Sequence, residues 1–410
     1  MASVQSEKPN PTAAFRQPSS NIGKTFRVRG VPRSWSEDDL QSFLEDKACS
    51  EPNIGSLANE VHGRTKTATL TFQHNSSQLQ EILTVKKLKI PLHLLSKKPT
   101  RAANLVFDYD FSGITTLYAP PPQDHRVDLL AISGLGGHAF GSFKERSGEH
   151  MWLRDALPYD ITGEDGDKPG VPISRIMIHG YESSLQDCDS FQNLEDIGTS
   201  FHSSLRSMAI AGSFRPIILV AHSLGGLIVK ETLISLSNSD DEEDQKLLRA
   251  VYGIAFFGVP HDGMDIQSLI SIVGNGPNRF LLESIGNHGS QILSIYQREF
   301  PKTLGGQGES KVICFYETLK SPTAKKDETD KWKMTGPVAV LVSKSSATHC
   351  RPWENGQQYI CAINRTHSEM VKFSSEDSEY EKVLGRLQSL VREAGKVQEA
   401  REALVAQKRM

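Results

Sequence analysis

The sequence lacks the features that mark several large protein classes. It has five cysteines in 410 residues: Cys49, Cys188, Cys314, Cys350 and Cys361. They are scattered and odd in number, and no Cys-x-x-Cys pair occurs. That argues against a disulfide framework and against a zinc ribbon or finger, and it suits a reducing compartment. A strong charge of either sign is also missing: 46 Lys and Arg face 49 Asp and Glu, a formal net charge of -3. No global attraction to nucleic acid or to an anionic membrane follows from such a balance. No run of about 18 apolar residues occurs, so no membrane-spanning helix is expected. The N-terminus has no apolar signal-peptide core, and Pro9, Pro11 and Pro18 oppose the amphipathic helix of a transit peptide. Residues 1–24 are expected to form a disordered tail.

What is present is ordinary globular chemistry. Hydrophobic residues make up 38% and charged residues 23%, enough for a sizeable core. The length suits one large α/β domain with a smaller companion.

Residues 25–98 read as a small α+β domain. Phe26–Pro32 alternates like a strand that ends in a turn. Ser36 is placed to cap a helix whose first turn, Glu37, Asp38 and Asp39, is acidic and suits the helix dipole. Ala68, Leu70 and Phe72 alternate with Thr67, Thr69 and Thr71, a period of two. With strands near Ile54–Val61 and Ile90–Leu95 and a helix at Gln78–Leu83, the order is β-α-β-β-α-β, the ferredoxin-like pattern. RNA-recognition modules share that order and stack bases on strand aromatics. Here the central strand offers only Phe72, at a core position. Arg27, Arg29, Arg64 and Lys66 read as a solvated face, and no nucleic-acid partner is expected. Residues 99–125, ending in Pro120-Pro121-Pro122, read as a linker.

From residue 126 the pattern changes. Apolar runs recur at Val127–Ile132, Arg175–Ile178, Pro216–Ala221, Val251–Phe257, Val312–Tyr316 and Val338–Val342. Runs without polar alternation suit strands buried on both faces. Helical stretches between them imply right-handed crossovers and a mainly parallel sheet flanked by helices over residues 126–392. Residues 393–410 read as a charged helical tail, with Leu384, Leu387 and Val391 docking the helix before it. The acidic run Asp240–Asp244 lacks the spacing and glycine of a calcium loop.

Two loops carry chemistry. Ile217-Ile218-Leu219-Val220-Ala221-His222-Ser223-Leu224-Gly225-Gly226 is an apolar strand that enters a small-x-Ser-x-Gly turn and then a helix. Such a turn holds a serine in a strained conformation above the sheet, with small residues required two positions either side. Ala221 and Gly225 meet that need. Leu224 can offer its N–H to an oxyanion at the helix N-terminus. The second loop, Ser133-Gly134-Leu135-Gly136-Gly137-His138, follows the strand Val127–Ile132, and Leu135 is the candidate second donor. A phosphate loop is the competing reading, but Ser142 stands where lysine is required.

These motifs resemble the lipase-like α/β hydrolases of the serine-active-site-containing type, related to the DUF676 lipases and common in fungi. The resemblance covers roughly residues 113–375. It rests on Gly113-Ile114-Thr115-Thr116-Leu117-Tyr118, the Gly134–His138 loop, Trp152-Leu153-Arg154-Asp155 and Arg175-Ile176-Met177-Ile178-His179-Gly180-Tyr181. It continues through the serine turn, Phe256-Phe257-Gly258-Val259-Pro260-His261 and Asn364-Arg365-Thr366-His367-Ser368-Glu369-Met370. Ser133 and Ala221 depart from the group's usual His and Gly. The resemblance implies an α/β-hydrolase fold and a Ser-acid-His site that cleaves a lipid-like or other ester.

Within that frame His367 matches the terminal histidine and is the expected general base. Glu317, at the end of Val312–Tyr316, is the expected acid, with Asp327, Glu328 and Asp330 as alternatives. His222 is expected to face away from the chemistry; His138 and His261 are candidates to line the pocket. Residues 263–310 fall where such folds carry a cap, and Leu269, Ile270, Phe280, Leu281 and Leu282 would make it apolar. No metal or organic cofactor is expected. The rival expectation is a hydrolase fold that has lost activity and serves binding or signalling. The resemblance leaves open peripheral contact with a mitochondrial or endoplasmic-reticulum membrane beside a cytoplasmic location.

Overall fold

The computed structural model describes residues 24–47, 51–72, 87–92, 104–163, 169–185, 189–209, 214–286, 289–304, 310–354 and 356–409, with side chains to 398. The expected tail over 1–24 falls outside these apart from Lys24, and the helix expected at Gln78–Leu83 falls outside them entirely.

The N-terminal strands form one antiparallel sheet. They are β1 (Phe26–Pro32), β2 (Pro52–Asn59), β3 (Thr65–Phe72), β4 (Lys87–Pro91) and β5 (Asn104–Asp108), in the order β2-β3-β1-β5-β4. Helix α1 (Glu37–Asp46) begins at Ser36, whose hydroxyl accepts the Asp39 N–H while the Asp39 carboxylate accepts the Ser36 N–H, a reciprocal cap. Leu40 and Leu44 on α1 pack with Ala68, Leu70 and Phe72, the apolar half of the period of two.

The other half of that period is also covered. Thr67 and Thr69 are buried, and Arg27 is 2% exposed. The Arg27 guanidinium grips Asp108 at 2.8–3.1 Å and donates to the Ser112 carbonyl and to Thr115 Oγ1. The expected solvated basic face is thus an internal contact at Arg27. Arg29 pairs with Glu60 at 3.1 Å, and Lys66 donates to the Trp35 carbonyl.

The stretch expected as a linker over 99–125 carries structure instead. It holds β5, which pairs with β1, and then β6 (Gly113–Tyr118), which pairs with a different sheet. The reason is pairing demand: β1 has an open edge, and Leu105 and Phe107 supply buried apolar side chains for it.

The second sheet contains β6, β7 (Val127–Ile132), β8 (Ser174–Gly180), β9 (Ile217–His222), β10 (Val251–Phe257), β11 (Lys311–Glu317) and a last strand. Two-residue ladders precede that strand: β12 (Ser321–Pro322) with β15 (Val338–Ala339), and β13 (Lys325–Lys326) with β14 (Trp332–Lys333). The last strand is β16 (Ile360–Ile363). The order is β16-β11-β10-β9-β7-β8-β6, parallel throughout except at the β6 edge. Val338–Val342 is therefore not a strand of this sheet. Val338 and Val340 are exposed, and only Leu341 and Val342 turn inward.

Alternation along each strand feeds two cores. On β9, Ile217, Leu219 and Ala221 face one, and Ile218 and Val220 the other. The first is closed by α2 (Leu194–Arg206), α3 (Leu224–Ser237), α4 (Glu242–Ala250) and α5 (Gln291–Glu299). The second is closed by residues 152–160 and by α6 (Ser378–Arg409), which buries Leu387, Leu390, Val391 and Ala394. α6 runs unbroken through residue 393, so no boundary falls there. A mainly parallel sheet with an antiparallel edge, helices on both faces and a serine turn after its central strand is the α/β-hydrolase fold.

Candidate active site

Ser223 lies between β9 and α3 with φ 51° and ψ -125°, in the left-handed half of the map that side chains avoid. The surroundings over-determine it. Its N–H donates to the Phe257 carbonyl at 2.9 Å, and its own carbonyl accepts the Gly226 N–H at 3.0 Å. The Ser223 hydroxyl does not cap α3. A Cβ at Gly225 would lie 2.6 Å from the Ser133 carbonyl oxygen and 2.9 Å from that of Ile132. Both obstacles are backbone, so any side chain here would force the main chain to shift.

Three residues far apart in sequence meet here. Ser223 Oγ is 2.9 Å from His367 Nε2, and His367 Nδ1 is 2.7 Å from Glu317 Oε2. All three are about nine-tenths buried or more. Glu317 closes β11, and its Oε1 accepts the Val342 N–H at 3.2 Å. His367 lies four residues beyond β16, and its own N–H donates to Ser321 Oγ at 2.9 Å. The alternative acids are elsewhere. Asp327 is occupied within its own loop by Lys333, and then by Thr329 and the Lys331 N–H, which together hold its carboxyl well below the ordinary range. Asp330 pairs with Lys326 on the surface.

The loop after β7 lies over the serine. A Cβ at Gly134 would be 2.8 Å from Ser223 Cβ, so glycine permits that approach. Tyr181 Oη donates to the Ser133 carbonyl at 3.0 Å, Ser183 Oγ donates to the Gly137 carbonyl at 2.7 Å, and the Gly136 N–H donates to the Ser183 carbonyl. Burial pushes the Tyr181 phenol far above its ordinary range, so it stays a donor. Position 133 thus holds the loop through its main chain. Among the described residues neither the Leu135 nor the Leu224 N–H has a recorded acceptor. Leu224 is the first residue of α3, where an N–H has no helical partner.

The histidines differ from expectation. His222 does not face away: its Nε2–H donates to the His367 carbonyl at 2.9 Å, and the two rings are 4.9 Å apart. Burial, with the nearby His367, pushes the His222 imidazole down to about 3, so it stays neutral. The His138 Nε2–H donates to the Tyr109 carbonyl at 2.6 Å, which ties the glycine loop to the segment between the sheets. His261 is buried in the core beside Phe256. Sequence reasoning also missed Ser321 and Tyr181. A Tyr after a strand and a Ser after an acid carry no spacing signal.

The expected cap residues divide. Leu281 and Leu282 are buried in the core, Leu269 and Ile270 pack against it, and Phe280 is 68% exposed. Asn278 donates to the Ser184 and Leu185 carbonyls, and Leu185 lies against Gly136. The 276–283 segment therefore sits beside the glycine loop. Trp152 donates to the Val371 carbonyl at 2.9 Å and fixes the stretch that follows His367.

No family model matches the chain. Among curated proteins it is similar to Protein SERAC1 of Homo sapiens, 30% identical over 155 residues, which cover 34% of this chain and 22% of the relative. Protein SERAC1 of Danio rerio is 31% identical over 156 residues, covering 34% and 23%. The chain spans about a fifth of the length of these relatives. Among solved structures, phospholipase PlaB from Legionella pneumophila overlaps with TM-score 0.42 at 11% identity, covering 66% of this chain and 61% of that one. The mature lipase BlEst2 from Bacillus licheniformis overlaps with TM-score 0.38 at 14% identity, covering 66% and 97%.

Proposed function

We propose that this chain is a serine hydrolase that cleaves a carboxylic ester, with a lipid-like acyl group as the substrate class, through an acyl-enzyme. The observation that carries the reading is the continuous hydrogen-bond path from Ser223 Oγ through His367 to Glu317, at 2.9 and 2.7 Å, on a serine held at φ 51°. In this reading His367 Nε2 takes the Ser223 proton as Oγ attacks the carbonyl carbon, and Glu317 stabilises the resulting imidazolium. The Leu224 and Leu135 N–H groups receive the oxyanion. His367 then returns the proton to the leaving alcohol, and a water activated by the same imidazole releases the acid. Each step uses only this chain's side chains, its main-chain N–H groups and water. The partly buried Leu135 and Leu185 beside the glycine loop favour an apolar acyl chain.

The test is intact mass after exposure to a fluorophosphonate probe, on wild type and Ser223→Ala. The reading expects one adduct on wild type and none on the variant. Folded wild type that takes no adduct would sink it and leave a binding module built on a hydrolase fold.

A further inference from the structure

Beneath the serine helix, on the first core's side of the sheet, lies a polar cluster for which the reaction above has no use. His261, Cys314 and Cys350 are all buried, and one ligand atom from each lies within 4.8 Å of the others. His261 Nε2 is 3.9 Å from Cys314 Sγ, and His261 Nδ1 has no hydrogen-bond partner among the described residues. Lys230, the seventh residue of α3, is 0% exposed. Its Nζ also has no recorded partner and sits 5.0 Å from the Phe300 ring centroid. Within an apolar core, an orphaned imidazole nitrogen and an orphaned ammonium are each unfavourable unless something offsets them.

We propose that His261, Cys314 and Cys350 form a binding site for one thiophilic d10 cation, Zn²⁺ or Cu⁺. Two thiols and an imidazole are the soft donors such ions select. Bond lengths of about 2.3 Å to sulfur and 2.0 Å to nitrogen put neighbouring donors about 3.6–3.8 Å apart. The observed donors reach that spacing if their side-chain ends move by about 1 Å or less. Binding is proton-balanced: each thiol yields one proton, and both thiolate electron pairs go to the ion. An ammonium at Lys230 offsets the single negative charge that two thiolates and Cu⁺ leave, whereas two thiolates neutralise Zn²⁺ without it. The ligands are 53 and 36 residues apart, which is why no motif announced them. The site joins the turn after β10, the middle of β11 and the chain just past the Lys344–Thr348 helix, so a bound ion braces the strand that ends in Glu317.

The test uses the full chain, reduced and stripped with chelator. Zn²⁺ is titrated against a chromogenic competitor, and Cu⁺ against bicinchoninate, for wild type, Cys350→Ser and His261→Asn. The proposal expects one equivalent of one of these ions on wild type and at least a hundredfold weaker binding in each variant. A second reading needs no variant: the bound ion should protect Cys314 and Cys350, but not Cys361, from maleimide when the protein is partly opened by mild urea. Neither ion binding to folded, reduced wild type would overturn the proposal. So would binding that survives both substitutions, or maleimide labelling of Cys314 and Cys350 unchanged by the ion.

Discussion

Replacing Glu317 by Gln changes one atom and tests the whole proton path. The Val342 N–H decides how the new amide sits, because it needs an acceptor at the position of Oε1. The carbonyl oxygen of Gln must stay there. The NH₂ group is then aimed at His367 Nδ1 from the place Oε2 now occupies, 2.7 Å away. A donor at that place favours the tautomer with Nδ1 bare and Nε2 protonated. Nε2–H would then face Ser223 Oγ and be unable to take its proton. Loss of the correct tautomer in such a relay costs about 10³–10⁴ in kcat, or about 4–5.5 kcal/mol of barrier at 1.36 kcal/mol per decade. The substitution is nearly isosteric and keeps the Val342 bond, so the unfolding midpoint should move little. The assay is fluorophosphonate labelling rate and short-chain aryl-ester turnover on wild type, Glu317→Gln and Ser223→Ala. Glu317→Asp, which keeps the charge but shortens the reach, should retain more activity than Glu317→Gln. A loss below about tenfold in folded Glu317→Gln would refute the assigned role of this carboxylate.

Gly225→Ala places a methyl 2.6 Å from one main-chain oxygen and 2.9 Å from another. It should destabilise by about 1–3 kcal/mol in urea titration and lower kcat/KM at least tenfold, because the glycine loop must retreat from the serine; full activity would show that the loop yields freely. His179 is buried beside Phe201, and burial lowers its imidazole to about 4. Its folded form holds fewer protons than the unfolded chain between pH 6.5 and 4. Stability is therefore intact above pH 6.5 and declines as pH falls towards 4, by about 2 kcal/mol at pH 5 from this residue alone. His179→Leu should flatten that decline in thermal melts at pH 5 and pH 7.5; an unchanged slope would place the acid sensitivity elsewhere. Arg27→Met strands the buried Asp108 carboxylate with the Phe111 N–H as its remaining recorded partner, at a cost of about 3–5 kcal/mol. Arg27→Met with Asp108→Leu should recover most of that in the same unfolding assay, and equal loss in both would show that packing, not charge, holds the contact.

Local features were legible in the sequence and non-local pairings were not. The turn at Ser223 announces itself because strand, small residues and helix are contiguous, and Val251–Phe257 matches its strand end to end. Glu317 and His367 were reachable because a parallel sheet puts strand ends on one edge, even though the strand before His367 is Ile360–Ile363 rather than Val338–Val342. The apolar run Val338–Val342 misled because hydrophobicity without a partner strand does not make a core position. β5 was hidden for the opposite reason: Asn104–Asp108 is short and acquires its identity only by pairing with β1 and β4. Arg27 read as surface because charge usually is, and a buried guanidinium depends on Asp108, 81 residues away. His222 was misplaced because its partner is a carbonyl, which every residue possesses.

The four residues 109–112 between β5 and β6 join the two sheets, and this has a consequence for how the parts can vary. A connection that short lets neither sheet swing away, and His138, Thr115 and Arg27 bolt it from both sides. The small sheet is then less a passenger than a cornerstone, set under the loop that carries Leu135. Insertions there would be felt at the serine before they were felt at the surface. A descendant that shed the small sheet would have to re-cover Thr115 and Phe111, or surrender the loop's position along with it.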